Sequence, residues 1–298
     1  MPIRIATAPV SWGILEFAGR SSQPPWESVL DEMASAGYSG AELGPYGYLP
    51  ADPEALKPAL AARGLQLLSA FVPVRLADAS CHAAGLETAR RVGGLLAACG
   101  CQHIVLSDDN AAAPHRLRRA GRIAPADGLD EAGWRTLAGC VNHIARRMKE
   151  EFGLETVFHH HCAGFVETPD EVARLLEMTD PRTVGLCLDT GHYVYGGGDP
   201  VECIRRHGMR VRYLHLKDVE PAVMARARAE AWDYFQAVAA GVFCELGRGC
   251  VNFAGVLTAM NELNYAGWAV VEQDIIGGMG TPLESARRNR EYLRRLEV

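Results

Sequence analysis

The chain has 298 residues, with 48% hydrophobic and 22% charged side chains, and its 30 Lys+Arg against 36 Asp+Glu leave a formal charge of −6. That composition excludes a disordered or collagen-like chain, and the acidic balance disfavours general nucleic-acid binding, which needs a basic surface. No apolar run is long enough for a transmembrane helix, so no membrane partner is expected. The start, Met1-Pro2-Ile3-Arg4, leads into a strand-like run and not into a signal-peptide pattern. Nine cysteines, an odd number without any C-x2-C pair, sit mostly in apolar stretches. They read as buried free thiols of a reducing, cytoplasmic compartment.

Taken in chain order, short β-rich runs alternate with longer segments of helical period. The expected strands are Ile3–Ala8, Gly40–Leu43, Leu67–Phe71, His103–Ser107, Thr156–His159, Val184–Leu188, Val211–His215 and Ala269–Glu272. Most are apolar throughout, as strands covered on both faces of a parallel sheet are. Helical period follows over Gly85–Cys99 and around Trp134–Glu151. Thr168-Pro169-Asp170-Glu171 and Thr281-Pro282-Leu283-Glu284 read as capping boxes, and Asp199-Pro200-Val201-Glu202 as the same device with Asp. Behind the first, Val172, Leu175 and Leu176 form a stripe that would face a sheet.

Eight strands, seven crossovers and a final helix predict an α/β fold, a single (β/α)8 barrel over residues 1–298. The doubly wound alternative lacks its Gly-rich turn after the first strand, where Pro9-Val10-Ser11-Trp12-Gly13 stands instead. Gly196-Gly197-Gly198 reads as a loop feeding the Asp199 cap. The longest crossovers, about 108–130 and 218–250, are expected to act as lids or subunit contacts.

Side chains at the C-terminal ends of barrel strands converge on one pocket. Here those ends hold Glu42, Asp108 or Asp109, His159, Asp189, His215 and Glu272. Carboxylates and imidazoles together suit Mn²⁺, Co²⁺, Fe²⁺ or Zn²⁺, and suit an all-oxygen Mg²⁺ or Ca²⁺ site less well. Strand alternation turns His159 and His161 to one side and His160 to the other.

At these positions the chain resembles a known family. Asp189-Thr190-Gly191-His192, His215-Leu216-Lys217-Asp218 and Val270-Val271-Glu272-Gln273-Asp274 look like the signature of xylose-isomerase-like TIM barrels. That superfamily includes sugar isomerases, ketose 3-epimerases, dehydratases and endonuclease IV. Phe158-His159-His160-His161 with Val166-Glu167-Thr168-Pro169-Asp170-Glu171-Val172 resembles the inosose (2-keto-myo-inositol) dehydratases of inositol catabolism. So do Ala8-Pro9-Val10-Ser11-Trp12 and Gly247-Arg248-Gly249-Cys250-Val251-Asn252-Phe253. The likeness runs from the first strand to the last helix, with the specific matches in the second half.

The resemblance implies a metal-dependent hydro-lyase acting on a keto-polyol, with manganese or cobalt as the favoured divalent ion and Zn²⁺, Fe²⁺ or Mg²⁺ as lesser choices. Asp189, His215 and Glu272 would bind metal, with His159 as fourth ligand where the superfamily commonly has Glu. His161 and His192 would handle protons, and Lys217 would steady an enolate. Trp12, Glu42 and Phe71 would line the substrate pocket. Arg248, where the family usually shows an acidic or small residue, would contact substrate anions. The second reading is a ketose isomerase or 3-epimerase, which loses one of its two opposed Glu bases to His159. Lesser readings are a non-catalytic sugar-binding barrel and an endonuclease IV-like enzyme, the latter opposed by the net charge. The partner is a small molecule, and a homo-oligomer is compatible with the sequence.

Overall fold

A computed structural model describes residues 3–15, 23–110, 113–275 and 280–298. In chain order the elements are β1 (Arg4–Thr7), α1 (Trp26–Ser35), β2 (Gly40–Ala41), α2 (Pro53–Ala61), β3 (Gln66–Leu67), β4 (Phe71–Val74), α3 (His82–Ala98) and β5 (His103–Asp108). Next come α4 (Pro114–Arg119), α5 (Glu131–Phe152), β6 (Glu155–His159), α6 (Pro169–Met178), β7 (Val184–Asp189), α7 (Thr190–Tyr195), α8 (Pro200–His207) and β8 (Val211–Leu216). The last are β9 (Asp218–Val219), α9 (Pro221–Ala229), α10 (Tyr234–Ala239), β10 (Phe243–Cys244), α11 (Phe253–Glu262), β11 (Trp268–Val271) and α12 (Pro282–Arg295).

Nine strands pair in the order β3-β2-β1-β11-β8-β7-β6-β5-β4, all parallel. The two ends of that order are one continuous stretch of chain, Gln66–Val74. It is expected as a single third strand, but it breaks at Leu68-Ser69-Ala70 into a half that follows β2 and a half that follows β5. The break still carries ladder bonds, from Leu43 N to Ser69 O and from Val105 N to Ala70 O, both 3.0 Å. The sheet therefore curls into a ring of eight strand positions. Ser69 uses the break to turn its hydroxyl inward onto Glu42 and Tyr213.

The apolar strands are covered twice, as their composition requires. Ala6, Leu68, Val105, Val157, Cys187, Tyr213 and Val270 fill the barrel interior. Alternate residues such as Ile5, Leu106, Phe158, Leu186, Leu188 and Leu214 pack outward under the helices. The Thr168 cap forms as expected, with Glu171 N donating to Thr168 Oγ1 at 3.3 Å and Thr168 N donating to Glu171 Oε2 at 2.9 Å. Asp199 accepts from Val201 N and Glu202 N. Thr281 departs from the expected box: α12 begins after it, but its hydroxyl donates to the Glu284 carboxylate instead of capping the backbone.

The two long crossovers are not bare loops. The first carries α4, and the second carries α9, α10 and an antiparallel pair, β9 with β10. They meet in a separate apolar cluster that includes Ala120, Cys162, Tyr195, Val219, Tyr234 and Phe243, above the C-terminal strand ends.

Candidate metal centre and its pocket

The period of two along each strand delivers the site. Val157 and Cys187 face inward, so His159 and Asp189 do too, at the upper rim. Tyr213 places His215 and Lys217 on the same side, and Val270 does so for Glu272 and Asp274. Ligand atoms of His159, Asp189, His215 and Glu272, all buried, lie within 4.8 Å of one another. His159 Nε2 is 3.5 Å from Asp189 Oδ2, and His215 Nδ1 is 3.2 Å from Glu272 Oε2. Both ring nitrogens of His159, together with Asp189 Oδ2 and His215 Nδ1, are buried without a hydrogen-bond partner. Buried polar atoms are rarely left so. Two imidazoles and two carboxylates aimed at one point fit a divalent cation, which would satisfy all four.

The other ring nitrogen of His215 has a partner. Nε2 lies 3.1 Å from Glu42 Oε1, which also accepts from the Ser69 hydroxyl at 2.7 Å. A carboxylate only accepts, so this nitrogen carries a proton. Burial opposes a second proton on the ring, but Glu272 at Nδ1 and Glu42 help to raise the His215 pKa well above its usual value, and a bound cation would take the place of the Nδ1 proton. Glu42 thus joins the site from beneath as well as from the pocket wall. Asp189 serves two elements at once. Its Oδ1 caps α7 by accepting from His192 N at 2.8 Å, and its Oδ2 faces the centre.

A second group surrounds Lys217. Its Nζ is 3.2 Å from Asp189 Oδ2, 3.2 Å from Glu272 Oε2, 2.8 Å from Asp274 Oδ1 and 3.1 Å from His192 Nε2. Burial pulls the ammonium toward neutrality, but the Asp189, Asp274 and Glu272 carboxylates outweigh it and hold the pKa well above its usual value. Burial also opposes ionisation of Asp189, yet the Lys217 ammonium keeps its carboxyl well below the usual range. His192 and His161 are shifted down by burial, His161 to about 4 with His159 adding to the effect. Both imidazoles are therefore neutral near pH 7. His161 Nδ1 donates to the Cys162 carbonyl at 2.6 Å, which leaves the lone pair on Nε2.

Above these groups lies a cavity of about 360 Å³, bounded by Phe71, His159, His161, Lys217, Glu272 and Asp274 among others. Its size suits a monosaccharide-sized ligand. Phe71 stands edge-on to His159 with ring centroids 5.6 Å apart. Tyr234, Phe235 and Val238 close the cavity from the second crossover, and Asp109 and Asn110 from the first.

Not every expected residue arrives. Trp12 is buried beside the pocket and not in its wall; its indole donates to Glu32 Oε2 at 2.7 Å. Arg248 is exposed, with its guanidinium 3.4 Å from Glu245. Its backbone explains the placement. Asp218 accepts from Gly247 N, Gly249 N and Val251 N, and a Cβ on Gly249 would lie 2.3 Å from Val219 O. That turn wraps the carboxylate and leaves the residue between the glycines pointing outward. Asp108 binds the backbone of Leu76 and Phe165, a structural role. His192 is fully buried and reaches the cavity only through Lys217 and His161, whose ring centroid is 3.9 Å away.

Two residues escape a reading of strand ends. Asp274 follows Glu272 by two positions and so shares its face, a signal present in the sequence. Tyr234, which donates to Asp274 Oδ2 at 2.7 Å, sits on a short helix inside a crossover and carries no such signal.

A family model described as xylose isomerase-like TIM barrel matches residues 30–296. An inosose dehydratase of Geobacillus kaustophilus (strain HTA426) is 35% identical over 295 residues, covering 99% of this chain and 95% of its own. The rhizopine catabolism protein MocC of Rhizobium meliloti is 35% identical over 296 residues, covering 99% of this chain and 89% of its own. A crystal structure of an IolI protein with a bound zinc atom matches at TM-score 0.71 and 14% identity, covering 99% of this chain and 98% of that one, and shares the fold. No helix among the described residues is long and apolar enough to cross a membrane. The chain belongs to the xylose isomerase-like TIM-barrel family and, within it, to the inosose dehydratases.

Proposed function

We propose that the protein is a metal-dependent hydro-lyase that removes water from a keto-polyol, with 2-keto-myo-inositol as the favoured substrate. The observation that carries this reading is the group of buried, unpartnered ligand atoms of His159, Asp189 and His215 beneath a sugar-sized cavity. Similarity to inosose dehydratases over nearly the whole chain supports the choice of reaction.

His159, Asp189, His215 and Glu272 would hold the ion, with Mn²⁺ or Co²⁺ favoured for this mixed N/O set. When bound, the ion supplies Lewis-acid polarisation of the substrate carbonyl. His161, neutral and with its free Nε2, is placed to take the proton α to the carbonyl. Lys217 presents a fixed positive charge to the cavity, where negative charge develops as that proton leaves. The proton that His161 takes would be returned to the departing hydroxyl, which leaves as water, while His192, packed against His161 and bonded to Lys217, holds both groups in place. Phe71 gives the substrate ring an apolar wall, and Glu42 orients His215. Nine free thiols accord with a reducing, cytoplasmic setting.

An epimerase would share the first proton transfer. His159 weighs against it, because it takes the position of one of the paired Glu bases and joins the ligand group. The test is to assay 2-keto-myo-inositol and a panel of ketoses with Mn²⁺ and with Co²⁺. A conjugated, ultraviolet-absorbing product from the inosose is expected. Turnover of a ketose without such a product would overturn the dehydratase reading.

A further inference from the structure

His161, His192 and Asp274 form a second group whose ligand atoms lie within 4.8 Å of one another, beside the His159–Asp189–His215–Glu272 group. It has the donors of a cation site, and His192 Nδ1 is buried without a partner. A cation is already there. Lys217 Nζ touches His192 Nε2 and Asp274 Oδ1 in this group and Asp189 Oδ2 and Glu272 Oε2 in the first.

We propose that Lys217 holds the place of a second divalent cation and so keeps the centre to one ion. The proposal rests on the reading that the first group binds one such ion. Charge supports it. Glu42, Asp189, Glu272 and Asp274 bring four negative charges to the strand ends. One divalent ion with Lys217 supplies three positive charges, and two divalent ions would supply four. Either arrangement is close to neutral, so removing the ammonium leaves a deficit that a metal ion can fill.

The fold locks the lysine in that role. The Thr190 hydroxyl donates to Lys217 O at 2.7 Å and accepts from Lys217 N at 2.9 Å. Residue 191 is glycine, and a Cβ there would lie 2.6 Å from Lys217 Cγ, so the side-chain stem runs against bare backbone. The ammonium lies 5.2 Å from the Phe243 ring centroid, which closes its remaining side.

The test counts metal per chain by elemental analysis of the full-length protein after equilibration with excess Mn²⁺ and removal of the free ion. The wild type is expected to hold one ion. Lys217→Met and Lys217→Ala are expected to hold two, and Lys217→Met/His192→Gln to return to one. Circular dichroism establishes that each variant is folded. If the metal-free variants are unfolded, excess Mn²⁺ is expected to restore them, because it replaces the lost charge. A count of one in the folded single variants, or no rescue by Mn²⁺, overturns the proposal, as does a count of two in the wild type. A wild-type count of zero instead overturns the metal-centre reading on which the proposal rests.

Discussion

His215 stands between two carboxylates, with Nε2 3.1 Å from Glu42 Oε1 and Nδ1 3.2 Å from Glu272 Oε2. The first contact fixes the ring orientation and keeps a proton on Nε2, and the second turns Nδ1 toward the ligand group, where a cation would replace its proton. Such outer partners set ligand basicity, and their loss typically costs about 10–100-fold in metal affinity. Glu42→Gln keeps the volume and removes the charge. We expect a folded protein whose Mn²⁺ affinity, measured by calorimetric titration, falls on that order, and Glu42→Ala should fall further. Unchanged affinity in both would remove Glu42 from the centre.

Asp189 divides its two roles between its two oxygens. Asp189→Asn keeps an acceptor for His192 N and loses the charged oxygen, so thermal stability should hold while bound metal and activity are lost. Asp189→Ala also loses the cap of α7, for a further cost of about 1 kcal/mol. His215→Ala should lose metal without touching that cap. Elemental analysis and thermal melts on the three proteins check the pattern. Full metal content and activity in Asp189→Ala and His215→Ala would defeat the whole scheme.

The inward set was readable because parallel strands repeat every two residues. Once Val157, Cys187, Tyr213 and Val270 are taken as barrel filling, His159, Asp189, His215 and Glu272 follow on the same faces. The same rule places Asp274 and Lys217. It fails inside the long crossovers. Tyr234 is delivered by packing between two crossovers, which no local period encodes. Arg248 misleads because a guanidinium suits anions wherever it stands, whereas the turn that carries it encloses the Asp218 carboxylate and points it outward. Trp12 misleads for a similar reason: its neighbours Pro9 and Val10 line the cavity, but its own ring turns back to Glu32. The break at Leu68-Ser69-Ala70 is hidden because an apolar run looks alike whether its two halves follow one neighbour or two.

Tyr234, whose ring packs against His161, reaches the charged groups of the site through a hydrogen bond from its hydroxyl to Asp274 Oδ2. A bond to a charged acceptor contributes roughly 1.5–3 kcal/mol, and about 1.4 kcal/mol corresponds to a tenfold change in rate. Tyr234→Phe is therefore expected to lower kcat by about tenfold or more, with metal content near the wild type and a loss of thermal stability no larger than that one bond supplies. Because Asp274 holds Lys217, the loss should appear in kcat more than in KM. A change confined to KM would make Tyr234 a substrate contact and not a positioning residue.

Glu167 offers a test that is independent of metal. Its carboxylate accepts from Gly121 N at 2.6 Å and Ala163 N at 2.8 Å, tying the first crossover to the turn after β6. Burial raises its pKa to about 7, against the two backbone donors and Arg116, which lower it. The folded state thus favours the protonated form more than the unfolded chain does. Its contribution to stability is fully present below the unfolded value of 4.5 and is lost as pH rises through about 7. A shift of that size corresponds to roughly 3 kcal/mol across the window. Glu167→Gln cannot titrate, so any fixed cost of placing its amide against two N–H donors stays constant with pH. The difference in unfolding free energy between wild type and Glu167→Gln should therefore move in favour of the variant between pH 4.5 and about pH 8. Urea denaturation at several pH values measures it, and all other titrating groups cancel in the comparison. A difference that is flat with pH would mean that Glu167 titrates alike in the folded and unfolded chain.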